Sequence, residues 1–234
     1  AIIALAAEQQ LSFIVGGPGT GKTTTVTRLL ALLIRLHGGS STVGQPPLRM
    51  ALAAPTGKAA VRLTEAVQVA QKSLRLSADI AVQIPAQAVT LHRLLGINWR
   101  GQPTYHRQRR LSLDLLLVDE ASMVDLPLMA NLLRALPDHT RLIFLGDSHQ
   151  LAAVEVGSVL GDICQLSKRT GWSRATSDRL VELLGCSHST LSDGLGPCTT
   201  DRVNSIRQGL SWLRKSYRFN STSGIGQAAY AINA

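Results

Sequence analysis

Residues Gly16-Gly17-Pro18-Gly19-Thr20-Gly21-Lys22-Thr23 fit the pattern G-x-x-x-x-G-K-[ST] and directly follow an apolar run of strand length. A helical pattern starts at Lys22, so the motif stands between strand and helix, as a phosphate-binding loop must. Few folds accommodate such a feature. Its glycines let successive backbone N–H groups turn inward, and the helix N-terminus behind them adds positive dipole character. Gly17, Pro18, Gly19, Thr20, Gly21, Lys22, Thr23 and Thr24 are therefore expected around the phosphates of ATP. Lys22 supplies a point charge to the β and γ groups, and the Thr23 hydroxyl is a ligand for Mg²⁺.

Strand-length apolar runs recur at Ser12 to Val15, Met50 to Ala54, Leu115 to Val118 and Leu142 to Leu145. They are nearly continuous rather than alternating, which predicts a mostly parallel sheet covered on both faces. Helical patterns over Lys22 to Leu36, Lys58 to Gln71 and Leu126 to Leu136 lie between them. Alternating strand and helix predicts a doubly wound α/β domain that binds ligands at the carboxyl ends of its strands.

Two of those ends carry polar groups suited to hydrolysis. Leu115-Leu116-Leu117-Val118 emerges as Asp119-Glu120, where Asp119 is placed to hold Mg²⁺ and Glu120 to orient or deprotonate an attacking water. Taken alone, acids at a strand end are as often solvated loop residues; beside the phosphate loop they read as its partner. The run ending in Gly146-Asp147-Ser148-His149-Gln150 brings the Gln150 amide to the same edge, within reach of a γ-phosphate or the lytic water.

Charge points to a polyanionic partner. The chain of 234 residues carries a formal net charge of +9, and residues 167–234 hold nine Lys and Arg against four acids. No apolar run reaches membrane-spanning length and no basic stretch precedes the first apolar residues, so the reading is a cytoplasmic protein without a membrane partner. Cys164, Cys186 and Cys198 have neither C-x-x-C nor zinc spacing, which fits reduced thiols.

Three stretches break the alternation. Gly38 to Pro47 is rich in Gly, Ser and Pro and reads as a surface loop. Residues 97–112 contain Trp99, Arg100, Tyr105, Arg107, Arg109 and Arg110 around Gly101-Gln102-Pro103, as a small inserted hairpin would. Residues 167–208 read as a connector around one short helix, Thr176 to Leu184, stopped by Gly185.

The blocks GGPGTGKTTTV at 16–26, APTGKAAVRLTE at 54–65, TLHRLLG at 90–96, LLLVDEASMVDLPLM at 115–129, LIFLGDSHQLAAVEVGSVLGDI at 142–163 and KSYRFNSTSGIGQAAYAIN at 215–233 together resemble the RecD family of superfamily 1 helicases. The resemblance implies a RecA-like P-loop NTPase domain over 1–166, with 97–112 as an inserted 1B hairpin. It further implies a connector at 167–208 and, over 209–234, a motif leading into a second motor domain. Thr56, Lys58, Thr90 and His92 would then meet a single-stranded DNA backbone; read without the family, Lys58 is a first-turn helix residue and His92 a generic histidine. Arg218 would approach the γ-phosphate across the cleft, and Tyr217 would stack on adenine.

The same likeness implies RecB-like and RecC-like partners, 5′ to 3′ movement and a role in double-strand break repair, any nuclease activity lying in a partner. The family's adenine-reading glutamine has no assigned counterpart here, and the chain reads as part of a longer subunit. A stand-alone RecD-like or relaxase-type helicase, and a nucleotide-dependent docking module that does not unwind, are the rival readings.

Overall fold

The computed structural model describes residues 2–39, 46–147, 159–168, 173–189 and 209–213. Six strands form one sheet: β1 (Leu11–Gly16), β2 (Met50–Ala54), β3 (Val89–Thr90), β4 (Leu115–Val118), β5 (Arg141–Gly146) and β6 (Leu210–Leu213). Their order is β3-β2-β4-β5-β1-β6 and every pairing is parallel. From β1 the chain crosses to β2 on one side, whereas the strand that follows β5 lies on the other side of β1. The carboxyl ends of β1 and β5 thus flank a topological switch point, where such sheets leave a crevice.

Side chains of the central strands alternate between two apolar layers. Ile14, Leu52, Leu115, Leu117, Ile143 and Leu145 pack under α1 (Ile2–Glu8), α2 (Lys22–Gly39), α3 (Gly57–Ser73) and α4 (Ala78–Ala81). Phe13, Val15, Leu116, Val118, Leu142 and Phe144 pack against α5 (Leu91–Leu95), α6 (Leu126–Ala135) and α7 (Val159–Lys168). Because both faces are dry, the strands read as unbroken apolar runs. On the second face the register sets Phe13 beside Phe144, with rings stacked at 5.2 Å between centroids.

The four strands and three long helices expected from periodicity are present, with no end moved by more than three residues. Two strands escaped it. β3 has only two residues, too short for any period to show. Leu210–Leu213, at the start of the stretch the resemblance reads as leading toward a second domain, pairs with β1 as the sheet's outer strand. Within 97–112 the described pairing is one antiparallel bridge, His106 with Arg109. The short helix of the expected connector is α8 (Arg174–Leu184), capped by Gly185 at φ 60°, with Leu180 buried against Leu5 and Arg179 paired with Glu8 at 3.0 Å.

The amino edge of the sheet is closed by ion pairs, leaving the carboxyl edge for chemistry. Arg49, just before β2, donates its backbone N–H and Nε to Asp114 Oδ2 at 2.9 and 3.0 Å and its Nη2 to Oδ1 at 2.7 Å. Asp114 immediately precedes β4, so the fork ties two neighbouring strands at their origins. The Arg49 guanidinium holds the Asp114 carboxyl well below the usual carboxylate range. A depressed folded-state pKa contributes stability above the unfolded value of about 3.9, lost as pH falls below it. Asp114→Asn should therefore lower the thermal midpoint at neutral pH and flatten the acid limb of a midpoint-versus-pH curve; parallel curves for the two proteins would remove this assignment.

Candidate functional site

The loop leaving β1 takes the conformation its glycines permit. Gly19 and Gly21 stand at φ 74° and 82°, a left-handed region costly for any residue with a Cβ. Thr20 is buried and donates its hydroxyl to the Gly17 carbonyl at 2.8 Å, which closes the turn. The Lys22 ammonium folds over the loop, donating to the carbonyls of Gly16 and Gly17, the second at 3.0 Å. A Cβ on Gly16 would lie 2.6 Å from Thr20 Oγ1 and 2.9 Å from Leu213 Cβ, so β6 buttresses the loop from behind.

Helix α2 begins at Lys22 itself, and Thr25 N–H bonds the Gly21 carbonyl at 2.9 Å. Thr23 and Thr24 sit in this first turn, where N–H groups lack intrahelical partners. A surface groove runs from them to Arg62, Glu65 and Val69 on α3.

Asp119 and Glu120 emerge from β4, two strands from β1 with β5 between them. Burial pushes the Asp119 carboxyl above its usual range, opposed by the Glu120 N–H donated to its Oδ1 at 2.8 Å; the Glu120 charge adds to the rise and Lys22 counters it. Glu120 itself has φ 50° and ψ 41°, a left-handed conformation in a residue that is not glycine. Such strain costs of order 1–3 kcal/mol and is held by surrounding structure, here a 3₁₀ turn, Ala121–Met123, with Ala121 and Ser122 buried.

A third acid joins them. Asp147 follows β5, whose register sets Gly146 beside Val15 of β1 and Phe144 beside Val118 of β4. It is buried at 6% exposure. Burial lowers the Lys22 pKa, and the charges of Asp147, Asp119 and Glu120, in that order, pull it back up. Sequence reasoning passed over Asp147 in favour of the amide three residues later; the signal available was an acid at the tip of an apolar strand, the same signal that singled out Asp119. Gln150, Tyr217 and Arg218 lie outside the described residues.

The donor set fits a nucleotide with a hard cation. The loop is an anion cradle with one ammonium, and the acids across the crevice suit a metal that prefers oxygen. Among the described residues no cluster of three or more His, Cys, Asp or Glu could hold a metal alone. Mg²⁺ commonly takes one or two protein oxygens and the rest from substrate phosphates and water; Thr23 and Asp119 are the residues that would hold it here.

A second group of expected residues gathers at the same edge. Ala54 of β2 pairs with Thr90 of β3, so Thr56 and Thr90 stand at adjacent strand ends. Each hydroxyl oxygen caps a helix, Thr56 accepting from Ala59 N–H at 3.2 Å and Thr90 from Arg93 N–H at 3.2 Å. Capping leaves both hydroxyl protons available as donors. Lys58 and His92 follow in the first turns of α3 and α5 and are exposed. The structure brings these four together as two helix starts facing one side.

No helix among the described residues is long and apolar enough to cross a membrane. The family model described as an AAA domain matches residues 1–156. The chain is 42% identical over 241 residues to the RecBCD enzyme subunit RecD of Haemophilus influenzae, covering 98% of this chain and 34% of that protein. It is 37% identical over 159 residues to an ATP-dependent RecD2 DNA helicase of Deinococcus radiodurans, covering 68% of this chain and 18% of that protein. A crystal structure of Bacteroides Pif1 bound to ssDNA aligns with a TM-score of 0.44 at 20% identity, covering 94% of this chain and 41% of the other. The chain thus spans about a third of the length of the RecD relative it matches. With the phosphate loop, the facing acids and a match over residues 1–156, the chain belongs to the AAA-domain family and is similar, over nearly its whole length, to RecD subunits.

Proposed function

We propose that this chain is the ATP-hydrolysing part of a DNA helicase subunit that moves on single-stranded DNA, the RecD-like member of an assembly with RecB-like and RecC-like subunits in double-strand break repair. The observation that carries the reading is that the loop of Lys22 leaves β1 at the same carboxyl edge where Asp119 and Glu120 leave β4, close enough for their charges to act on Lys22. ATP supplies the phosphoryl bond whose hydrolysis drives movement, and Mg²⁺ the charge that steadies it. Lys22 neutralises phosphate charge, Thr23 and Asp119 hold the cation, and Glu120 orients the attacking water and takes its proton.

Residues 1–166 act as the first motor domain, and a second, to which Arg218 and Tyr217 belong, closes over the nucleotide. Gln150 senses the γ-phosphate. Cleft closure is coupled to grip on DNA through Thr56, Lys58, Thr90 and His92, with 5′ to 3′ polarity. Two helix starts side by side favour phosphates over bases, so binding is sequence-tolerant and salt-sensitive. The likeness to RecD subunits supports the partners, and the match to the RecD2 helicase supports a second reading, in which the subunit works alone.

The test is ATP turnover by the full-length protein with and without oligo(dT). Strong stimulation by the oligonucleotide is expected. Turnover indifferent to DNA would leave a nucleotide-dependent docking module instead. Copurification with large RecB-like and RecC-like subunits separates the first reading from the second.

A further inference from the structure

We propose that Trp99, on the loop after α5, is a base-stacking platform for single-stranded nucleic acid that extends the DNA path beyond the edge of the sheet. The inference rests on the single-strand reading above, but on different residues and different physics.

Trp99 is 88% exposed, more than any other large apolar side chain among the described residues. A tryptophan of the core would bury that surface, and one left bare forfeits the transfer energy of a large ring. Its loop is nevertheless fixed. Asn98 Oδ1 accepts N–H groups from Arg100 at 2.9 Å and Gln102 at 3.0 Å, while Asn98 N–H bonds the Gln102 carbonyl at 3.0 Å. Thr104 then ties the loop back to the end of α5 through the Gly96 carbonyl at 2.8 Å. A ring held out on a locked turn loses little entropy when something stacks on it.

The chemistry around the ring selects the occupant. The Arg100 guanidinium lies 4.6 Å from the Trp99 ring centroid, covering one face and leaving the other to solvent. Arg109 lies 5.6 Å from the Tyr105 ring, a second cation–aromatic pair on the same loop. From Ile80 to Leu113 the sequence has no acid and five arginines, of which Arg110 is paired with Asp138 at 2.9 Å. A flat apolar face set among guanidinium groups fits a ligand that alternates flat bases with phosphates, which is a nucleic-acid single strand.

Position agrees. The loop leaves α5, five residues beyond Thr90, and a helix of that length spans only about 7.5 Å. β3 is the outermost strand on that side, so a backbone laid across the ends of β2 and β3 reaches Trp99 as it leaves the sheet.

The experiment measures binding of labelled oligo(dT) by anisotropy in the full-length protein and its variants, with thermal midpoints checking folding. Trp99→Ala should weaken binding roughly tenfold, within the range for loss of one stacked base. It should leave the slope of log affinity against log salt unchanged, whereas Arg100→Ala should reduce that slope by about 0.7. Trp99→Phe should restore most of the affinity. Unchanged binding by Trp99→Ala overturns the platform, as does an equal loss in Trp99→Phe. Unchanged oligonucleotide binding with loss of subunit assembly assigns the loop to a protein partner and overturns it too. If the parent protein binds no oligo(dT), the single-strand reading fails first; if it binds and only Trp99 is silent, that reading stands.

Discussion

Lys22→Ala in the full-length protein is expected to reduce ATP turnover by about 10³-fold or more, while salt-sensitive DNA binding persists. The ammonium is the one positive side-chain charge of the phosphate loop, held over it by the carbonyls of Gly16 and Gly17. It is partly buried, where a charge acts on a phosphate more strongly than in water. Asp147, Asp119 and Glu120 favour its charged form, so deleting it removes a positive charge from a site that holds three acids and must admit a triphosphate. Nucleotide affinity and turnover should therefore fall together. Thr56, Lys58, Thr90 and His92, proposed to grip DNA, lie beyond the ends of β2 and β3 and owe nothing to Lys22. Steady-state ATPase and oligonucleotide anisotropy on the same preparation read both halves, and turnover retained at the parental rate would defeat the assignment of the site.

Glu120→Gln should separate binding from chemistry. If Glu120 is the proposed base, replacing its carboxylate by an amide of the same shape slows turnover by about 10²- to 10⁴-fold. Nucleotide affinity should hold or rise, since one of three negative charges around the site disappears. The backbone makes the choice of substituent matter. Glu120 sits at φ 50°, and glutamine meets the same steric demand, so the loss reports chemistry rather than released strain. A single-turnover measurement with bound nucleotide gives the rate directly. A Glu120→Gln protein that binds ATP weakly but turns over what it binds at the parental rate would move Glu120 from the catalytic step to a purely structural one.

How much of this was legible beforehand depended on whether the signal was local. The phosphate loop could be read because its constraint is local: two left-handed glycines, a lysine and a hydroxyl within eight residues, with strand and helix on either side. The acids of β4 were legible for the same reason, as polar residues ending a run buried on both faces. β3 and β6 were not, because two- and four-residue strands carry too little periodicity to stand out, and their pairing partners lie far away in sequence. Nor was the capping duty of Thr56 and Thr90, which needs the helix beyond each to exist before the hydroxyl has an N–H to accept. Asp147 carried the same local signal as Asp119, an acid at the tip of an apolar strand; its nearness to Lys22 did not show until the strands were ordered.

The sequence by itself therefore determined that a phosphate cradle follows a buried strand in an α/β sheet, because backbone sterics and the dryness of both sheet faces act residue by residue. Only the tertiary structure decided that β5 lies between the two halves of the site, that Asp147 joins Asp119 and Glu120 around Lys22, and that Leu213 backs the loop. Strand order is fixed by which apolar faces pack together over the whole chain, and a buried charge takes its meaning from neighbours about a hundred residues away.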